Sequence, residues 1–253
     1  METMEERREA IVTLVNEKSS ITFAELKKRF PQVSDMTIRT DLKALDEAKR
    51  IVRVHGGAKS VEHVIGNDDL LGKRAVRNVE AKQIIAEKAV GIVRPNTTIF
   101  VDSGSTTTTL ANIFPDVNCV IFTNSLSCAI EFSRLSKARV YMLGGLMNRN
   151  SLSVVGHSVL SEMQPVNFDM AFLGATSYID ELGFTCESPE DNAVKRAVID
   201  KSAQNIILMD ASKIGKRGSF TICNMDRLSH VVMDAAVPEE FRLECLKHNV
   251  ELL

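Results

Sequence analysis

The pattern of apolar and polar positions predicts three short helices in the first 45 residues. Apolar side chains recur at helical spacing over residues 5–17. The string Thr22-Phe23-Ala24-Glu25 is a capping box, which predicts a second helix that ends before Pro31. Ser34 is a favourable N-cap residue for a third helix running to residue 45. A predicted strand over 51–55 and a tight turn at Gly56-Gly57 complete a winged helix-turn-helix.

The third helix has two chemically different faces. Ile38, Leu42 and Leu45 follow one another at i, i+4 and i+7, so this face is expected to pack on the first two helices. The opposite face is short, polar and basic, as in helices that enter the DNA major groove. The residues expected at DNA are Ser34, Thr37, Arg39, Thr40 and Lys43 of this helix, with Arg53 and His55 of the wing. A small helical module that binds another protein would show the same periodicity.

The chain changes character near residue 58, where a polar connector over 59–78 begins. Beyond it, short apolar runs alternate with helical patterns, which predicts a mainly parallel sheet covered by helices. The predicted strands span residues 98–101, 120–122, 140–143, 170–173, 206–209 and 231–233. We therefore expect a DNA-binding domain over 1–58, a linker over 59–78 and an α/β domain over 79–253.

Composition narrows the functional classes. The 253-residue chain has a net charge of −2, no tryptophan and 5% aromatic residues, which disfavours base-stacking platforms for single-stranded nucleic acid. Residues 27–53 carry eight basic and four acidic side chains, a modest local excess that also suits a solvated helix surface. The five scattered cysteines predict neither disulfides nor a zinc site. No signal peptide or membrane span is apparent, so a cytoplasmic protein without metal or cofactor is expected.

The most informative segment after residue 78 is Asp102-Ser103-Gly104-Ser105-Thr106-Thr107, which follows a predicted strand and opens a helix. Hydroxyls and backbone N–H groups at a helix start can hold a phosphate. A capped helix start without a ligand would look the same. Small, hydroxyl and basic residues also follow other predicted strands, as at Thr123-Asn124-Ser125 and Gly144-Gly145. Because ligands bind at the carboxyl ends of parallel strands, these loops predict one site for a small polyhydroxylated anion.

Residues 5–58 resemble the helix-turn-helix of the DeoR family of bacterial repressors. The matching strings are Val33-Ser34-Asp35-Met36-Thr37-Ile38-Arg39-Thr40-Asp41-Leu42 and Arg53-Val54-His55-Gly56-Gly57-Ala58. The family usually has an arginine at the position of Thr40 and a glycine at that of Lys49. The first departure bears on base preference, because a guanidinium reads guanine in a way that a hydroxyl cannot.

The region from about residue 74 onward resembles the DeoR sensor domain, which is similar in fold to ribose-5-phosphate isomerase and glucosamine-6-phosphate deaminase. Matching positions include Arg74, Asn78, Lys82, Asp169, Gly174, Asp210 and Ser212. The resemblance implies that an effector binds Asp102, Ser103, Gly104, Ser105, Thr106, Thr107, Asn124, Gly145, Arg149, Lys195 and Lys213. Lys213 would supply charge to the phosphate. Lys195 could instead pair with Asp191 on a helix surface.

The resemblance implies a repressor of carbohydrate metabolism that binds double-stranded operator DNA and a phosphorylated sugar. Because one recognition helix reads only a few base pairs, we expect a homodimer or higher oligomer. The alternative is an isomerase or deaminase with an accessory domain, in which Asp102 acts as a general base. Against it, no acid/base cluster is apparent in the later loops, so we expect no enzyme activity.

Overall fold

A computed structural model describes residues 3–18, 20–48, 50–54, 56–60 and 70–253. The chain divides into two compact units, residues 1–67 and 68–253. In the part of the chain that the structure describes, no helix combines the length and apolar content needed to cross a bilayer.

The first unit is a winged helix-turn-helix, as predicted. Its elements are α1 (Met4–Lys18), β1 (Ser20–Thr22), α2 (Phe23–Arg29), α3 (Asp35–Glu47), β2 (Ile51–Val54) and β3 (Gly57–Ser60). The capping box forms as expected, since the Thr22 hydroxyl accepts from the Glu25 N–H and the Glu25 carboxylate accepts from the Thr22 N–H. The strands pair antiparallel in the order β1-β3-β2. The short strand β1 was not predicted, because three alternating residues are too few to indicate a strand.

The second unit is built on a seven-stranded sheet in which every pair of neighbours is parallel. The strand order is β15-β14-β12-β9-β4-β5-β6. The strands are β4 (Thr98–Val101), β5 (Val120–Thr123), β6 (Arg139–Met142), β9 (Phe168–Gly174), β12 (Ser202–Leu208), β14 (His230–Val232) and β15 (Glu251–Leu252). The expected mainly parallel α/β architecture is therefore confirmed.

Helices surround this sheet, and a hydrophobic core lies on each of its faces. The helices are α4 (Leu71–Ala75), α5 (Val79–Val90), α6 (Ser105–Asn112), α7 (Leu126–Phe132), α8 (His157–Met163), α9 (Pro189–Lys201) and α10 (Glu239–Lys247). Single turns of 3-10 helix cover Ala211–Lys213 and Met225–Arg227.

Two small antiparallel sheets accompany the large one and were not predicted. One is the hairpin of β7 (Leu146–Asn148) and β8 (Ser153–Val155). The other joins β10 (Ser177–Ile179), β11 (Gly183–Cys186) and β13 (Phe220–Cys223) in the order β10-β11-β13. None of these strands contains more than two consecutive apolar residues, so none gives a recognisable apolar run.

The segment over 59–78, which the sequence predicts as a linker, is structured at both ends. Strand β3 continues to Ser60, and α4 begins at Leu71. The Leu71 side chain is buried, and its N–H donates to the Asn150 carbonyl at 2.7 Å. Residues 61–69 lie outside the described part of the chain.

Candidate DNA-binding surface and effector site

Helix α3 separates its apolar and polar faces as the sequence predicts. Ile38, Leu42 and Leu45 are each at most 3% exposed and belong to the core of the first unit. On the outer face, Arg39, Thr40 and Lys43 are exposed and Thr37 is half-buried. Met36, at 73% exposure, adds an apolar side chain to the start of this face.

Local contacts orient the outer face. Ser34 caps α3 by accepting from the Thr37 N–H at 3.1 Å, and its hydroxyl lies 2.8 Å from that of Thr37. The Arg39 guanidinium lies 4.7 Å from the centre of the Phe23 ring, a cation–π contact that holds it beside α2. The Thr40 hydroxyl donates to the Met36 carbonyl at 2.9 Å. Lys43 pairs only loosely with Glu47, at 3.8 Å, which leaves its ammonium in solvent.

The predicted wing consists of β2 and β3. Arg53 is exposed on β2, and its backbone N–H donates to the Asp46 carboxylate at 2.9 Å, which ties the strand to the end of α3. His55, the other predicted wing contact, and Lys49, which replaces the usual glycine, lie outside the described residues.

Several of the predicted effector residues gather where four neighbouring strands of the large sheet end. In sheet order, Asp210 and Lys213 follow β12, Gly174 ends β9, residues 102–107 follow β4, and Asn124 follows β5. The loops after β4 and β9 are in close contact, because the Asp102 carboxylate accepts a 3.0 Å hydrogen bond from the Gly174 N–H. The set of loops is called the effector site below.

The start of α6 offers unused donors at this site. Gly104, with φ of +143°, precedes the helix, and no side chain caps it. The first-turn N–H groups are therefore available to an anion. The hydroxyls of Ser103, Ser105 and Thr106 make no hydrogen bond with the described residues; the Thr107 hydroxyl, in contrast, donates to the Gly104 carbonyl at 2.9 Å. Thr107 thus takes part in closing the helix start.

A buried ion pair lies beside this helix start. The Lys195 ammonium, on α9, contacts the Asp102 carboxylate and donates to the Gly174 carbonyl at 3.0 Å. Burial opposes the charge on Lys195, but the attraction and hydrogen bond of Asp102, together with smaller contributions from Cys186 and Asp191, raise the pKa of the ammonium above its ordinary value. The expected alternative partner, Asp191, instead accepts from the Ser153 hydroxyl at 2.9 Å. Lys195 therefore contacts the loops after β4 and β9, and its predicted role at the effector stays a prediction.

Lys213 is the cation on the β12 side. Its ammonium donates to the Ala175 carbonyl at 2.9 Å and lies 3.6 Å from Asp210, while about a quarter of the side chain remains exposed. Burial lowers the pKa of Lys213 below its ordinary value, with nearby Asp210 opposing this shift. A phosphate dianion would stabilise the charged form that burial disfavours.

Asn124 and Arg149 are placed differently with respect to the site. Asn124 is 1% exposed, and its amide nitrogen donates to the Val154 carbonyl of β8 at 3.1 Å. Its amide oxygen is buried with no hydrogen-bond partner among the described residues, so it can accept from a ligand hydroxyl. Arg149 is exposed in the turn between β7 and β8 and makes no ion pair with the described residues.

Gly145 shapes the hairpin that places these residues. Its φ is +153°, and a Cβ at this position would lie 2.7 Å from the Val155 carbonyl oxygen. The close approach of β7 to β8 therefore requires glycine here. The structure gives Gly145 a role in hairpin geometry, with its predicted contact to the effector untested.

Family models match nearly the whole chain. The DeoR-like helix-turn-helix domain matches residues 7–64, and the DeoR C terminal sensor domain matches residues 77–235. The chain belongs to the DeoR family of transcriptional regulators. Among its relatives, the HTH-type transcriptional regulator GlpR of Haloferax volcanii is 30% identical over 240 residues, covering 94% of this chain and 93% of the relative. The lactose phosphotransferase system repressor of Staphylococcus epidermidis is 30% identical over 234 residues, covering 90% and 91%.

Solved structures give more distant similarities. Ribose 5-phosphate isomerase A of Methanocaldococcus jannaschii superposes with a TM-score of 0.42 at 16% identity, over 55% of this chain and 56% of that one. The translation initiation factor eIF-2B of Pyrococcus horikoshii gives a TM-score of 0.46 at 12% identity, over 90% and 87%.

The structure of this DeoR-family regulator also gives contacts to residues that sequence reasoning named only as matches to the family, without a role at the site. Asp210 accepts hydrogen bonds from Ser212 and from the Asn78 amide, the latter at 3.3 Å, and thereby connects β12 to the start of α5. Burial disfavours its charge, but Lys213 and these hydrogen bonds hold the pKa of Asp210 below its ordinary value. Its position directly after a buried strand was the signal, the same one that pointed to Asp102.

Proposed function

We propose that this DeoR-family regulator represses a carbohydrate-metabolism operon and is controlled by a phosphorylated sugar at the effector site. The observation that carries the proposal is that three features meet at the carboxyl ends of neighbouring strands. They are the uncapped start of α6, the partly exposed Lys213, and the buried amide oxygen of Asn124, which has no partner among the described residues. The name of the lactose phosphotransferase system repressor, a relative over most of its length, points to the same class of operon.

The phosphate is assigned to the start of α6, at Ser103, Gly104, Ser105, Thr106 and Thr107, with Lys213 as its counter-charge. Backbone N–H groups and hydroxyls donate there, and the helix end is electropositive. The sugar hydroxyls are assigned to Asn124, Asp102 and, from the hairpin turn, Arg149. Lys195 acts by holding the Asp102 carboxylate in place, and Gly145 by setting the hairpin.

Operator DNA is assigned to the outer face of α3 and to the wing. Ser34, Thr37, Arg39, Thr40 and Lys43 lie on or beside that face, and Arg53 lies on β2. Specific binding to a repeated or inverted site requires two copies of this helix, so the proposed active form is a homodimer or a higher oligomer.

Asp102 is better suited to positioning than to catalysis. Its carboxylate is 1% exposed and is already bound by the Lys195 ammonium and the Gly174 N–H. Both contacts are made to Oδ2 and fix the orientation of the carboxylate, so its other oxygen is assigned to accepting from a sugar hydroxyl and not to removing a proton. The proposal therefore includes no turnover, which incubation of the protein with ribose 5-phosphate or glucosamine 6-phosphate tests directly.

The direct test is a calorimetric binding screen with aldose and ketose phosphates, each matched by its unphosphorylated sugar. We expect at least one phosphate to bind and its unphosphorylated partner to bind far more weakly. Lys213→Ala removes a charge-assisted contact, so affinity should fall roughly 10- to 150-fold. Lys216→Ala, an exposed lysine three residues away, is the matched control and should bind as the wild type does. Equal binding of both variants would exclude Lys213 as the phosphate partner.

A further inference from the structure

One edge of the large sheet is unusually apolar. Six exposed large apolar side chains lie in α7, in the edge strand β6, and in the β7–β8 hairpin. They are Ile130 at 70% exposure, Tyr141 at 47%, Met142 at 39%, Leu146 at 73%, Met147 at 45% and Leu152 at 38%. We call this set the apolar edge. The hairpin adjoins α7, because the Leu126 N–H donates to the Leu152 carbonyl at 2.9 Å.

The backbone of β6 is also unsatisfied on its outer side. The Arg139 and Leu143 N–H groups donate inward to β5 residues or their neighbours, at 2.9 Å each. Since hydrogen-bonding directions alternate along a parallel strand, the N–H and C=O groups of Val140 and Met142 point away from the sheet. No strand of the described residues covers them. Arg139 at the start of β6 is exposed and charged, but Val140, Tyr141 and Met142 form an apolar strand edge, which is a ready template for pairing with another chain.

We propose that β6 pairs antiparallel with β6 of a second copy of this chain, about a two-fold axis at Tyr141. In this register Val140 of each copy faces Met142 of the other, and both residues already point outward. Each such pair exchanges two backbone hydrogen bonds, so four form across the axis. The two Tyr141 residues then face each other as the close, non-hydrogen-bonded pair. The arrangement is self-complementary, as a two-fold interface requires.

The size of the apolar edge fits this occupant. Its six side chains expose on the order of 600 Å² per copy, close to the roughly 800 Å² that each partner buries in a standard interface. Such a patch lies at the upper end of what a monomer leaves exposed, about 300–600 Å². The opposite sheet edge differs, because β15 has only two residues and carries the exposed acid Glu251. It has the short, charged character of an edge that avoids pairing.

The inference rests on the two-copy assembly proposed above, and the first experiment tests its register. Tyr141→Cys places one cysteine of each copy at the axis. The two Cα atoms would then lie about 4.5 Å apart, within the range that a disulfide spans. Under mild oxidation this full-length variant should form a covalent dimer at least about tenfold faster than Leu243→Cys, the control. Leu243 is 54% exposed on α10, and all five native cysteines are buried. Cross-linking no faster than in the control would overturn the proposed axis.

The second experiment measures assembly by sedimentation. Met142→Arg places a charge at the pairing strand and should weaken dimerisation by roughly a hundredfold or more. Leu246→Arg, at a 65% exposed position on α10, should leave it unchanged. If the wild type is dimeric and Met142→Arg dissociates no more readily than the wild type, β6 does not form the dimer interface, although the proposed assembly of two copies stands. A monomeric wild type, free and with DNA, would overturn both.

Discussion

Asp41 shows how one residue can fix the recognition helix. Its carboxylate is 2% exposed, and its two oxygens bind Arg7 and Arg8 of α1 at 2.7 and 2.8 Å. The sequence contains the signal, because Ile38, Asp41, Leu42 and Leu45 together follow i, i+3, i+4, i+7 spacing. An acid on the buried face of a helix requires a charged partner, since a lone buried charge is costly. The partners themselves, more than thirty residues earlier, cannot be identified from this spacing.

Replacing Asp41 by asparagine should therefore loosen α3. The change leaves two arginines without their carboxylate, and both are only partly exposed. We expect a loss of about 1–3 kcal/mol, below the 3–5 kcal/mol of a fully buried pair because water still reaches the arginines. Hydrogen exchange of the α3 amides in the full-length protein measures this loss. Glu47→Gln, on the same helix but 67% exposed, is the control. Identical exchange in the two variants would show that the ion pairs do not hold α3.

Lys195, at the predicted effector site, shows that local spacing does not identify the partner of a buried charge. Asp191, Val194, Lys195 and Val198 share the buried face of α9, so the spacing places Lys195 inside the protein. Sequence reasoning placed Lys195 at the effector and gave, as the alternative, a pairing with Asp191, which lies one helical turn away. The ammonium instead pairs with Asp102, 93 residues earlier, because α9 packs against β9 and β9 is adjacent to β4 in the sheet. Pairings between distant loops depend on strand order, which local spacing does not contain.

Among the elements, those with strong periodicity or a clear cap were predictable from the sequence. The three N-terminal helices and the large strands match the apolar pattern closely. The β7–β8 hairpin and the β10-β11-β13 sheet were missed, because none of their strands contains more than two consecutive apolar residues. Because these strands were missed, two contacts of β8 were not predicted. Val154 accepts from the Asn124 amide, and the Ser153 hydroxyl donates to Asp191.

The outer face of α3 predicts a measurable electrostatic contribution to DNA binding. Lys43 is exposed and only loosely paired, so a phosphate contact would release one counterion. Lys43→Ala should weaken binding to all duplexes and reduce the slope of log affinity against log salt by roughly one unit. Lys18→Ala, at the end of α1, removes the same charge away from this face and is the control. A salt slope equal to that of the wild type in Lys43→Ala would remove this lysine from the DNA contacts.

At the scale of the whole molecule, the alternation of strands and helices predicted a parallel sheet but not its order. Strand β9 inserts between β12 and β4, so that the loops at residues 102, 174 and 210 meet at the carboxyl ends of these strands. The rule that ligands bind at carboxyl ends of strands predicted that these loops lie together before any strand order was known. The apolar edge at β6, in contrast, became visible only when the last strand of the sheet was identified.

The two units must be coupled for the regulator to respond to its effector. A ligand shifts an equilibrium only if it binds the DNA-competent and DNA-incompetent states with different affinity. Coupling free energies of 1–3 kcal/mol are typical, which corresponds to about 5- to 150-fold in DNA affinity. A change of that size is the expected consequence of saturating the effector site.

The most direct measurement is titration of an operator, selected from a random duplex library, with and without the sugar phosphate found in the binding screen. The wild type and Lys216→Ala should lose operator affinity roughly 5- to 150-fold when the sugar phosphate is present. Lys213→Ala should bind the operator normally without effector and keep that affinity at the same sugar phosphate concentration. A Lys213→Ala protein that responds as the wild type does, or a wild type that responds only to unphosphorylated sugars, would contradict the proposed phosphate site.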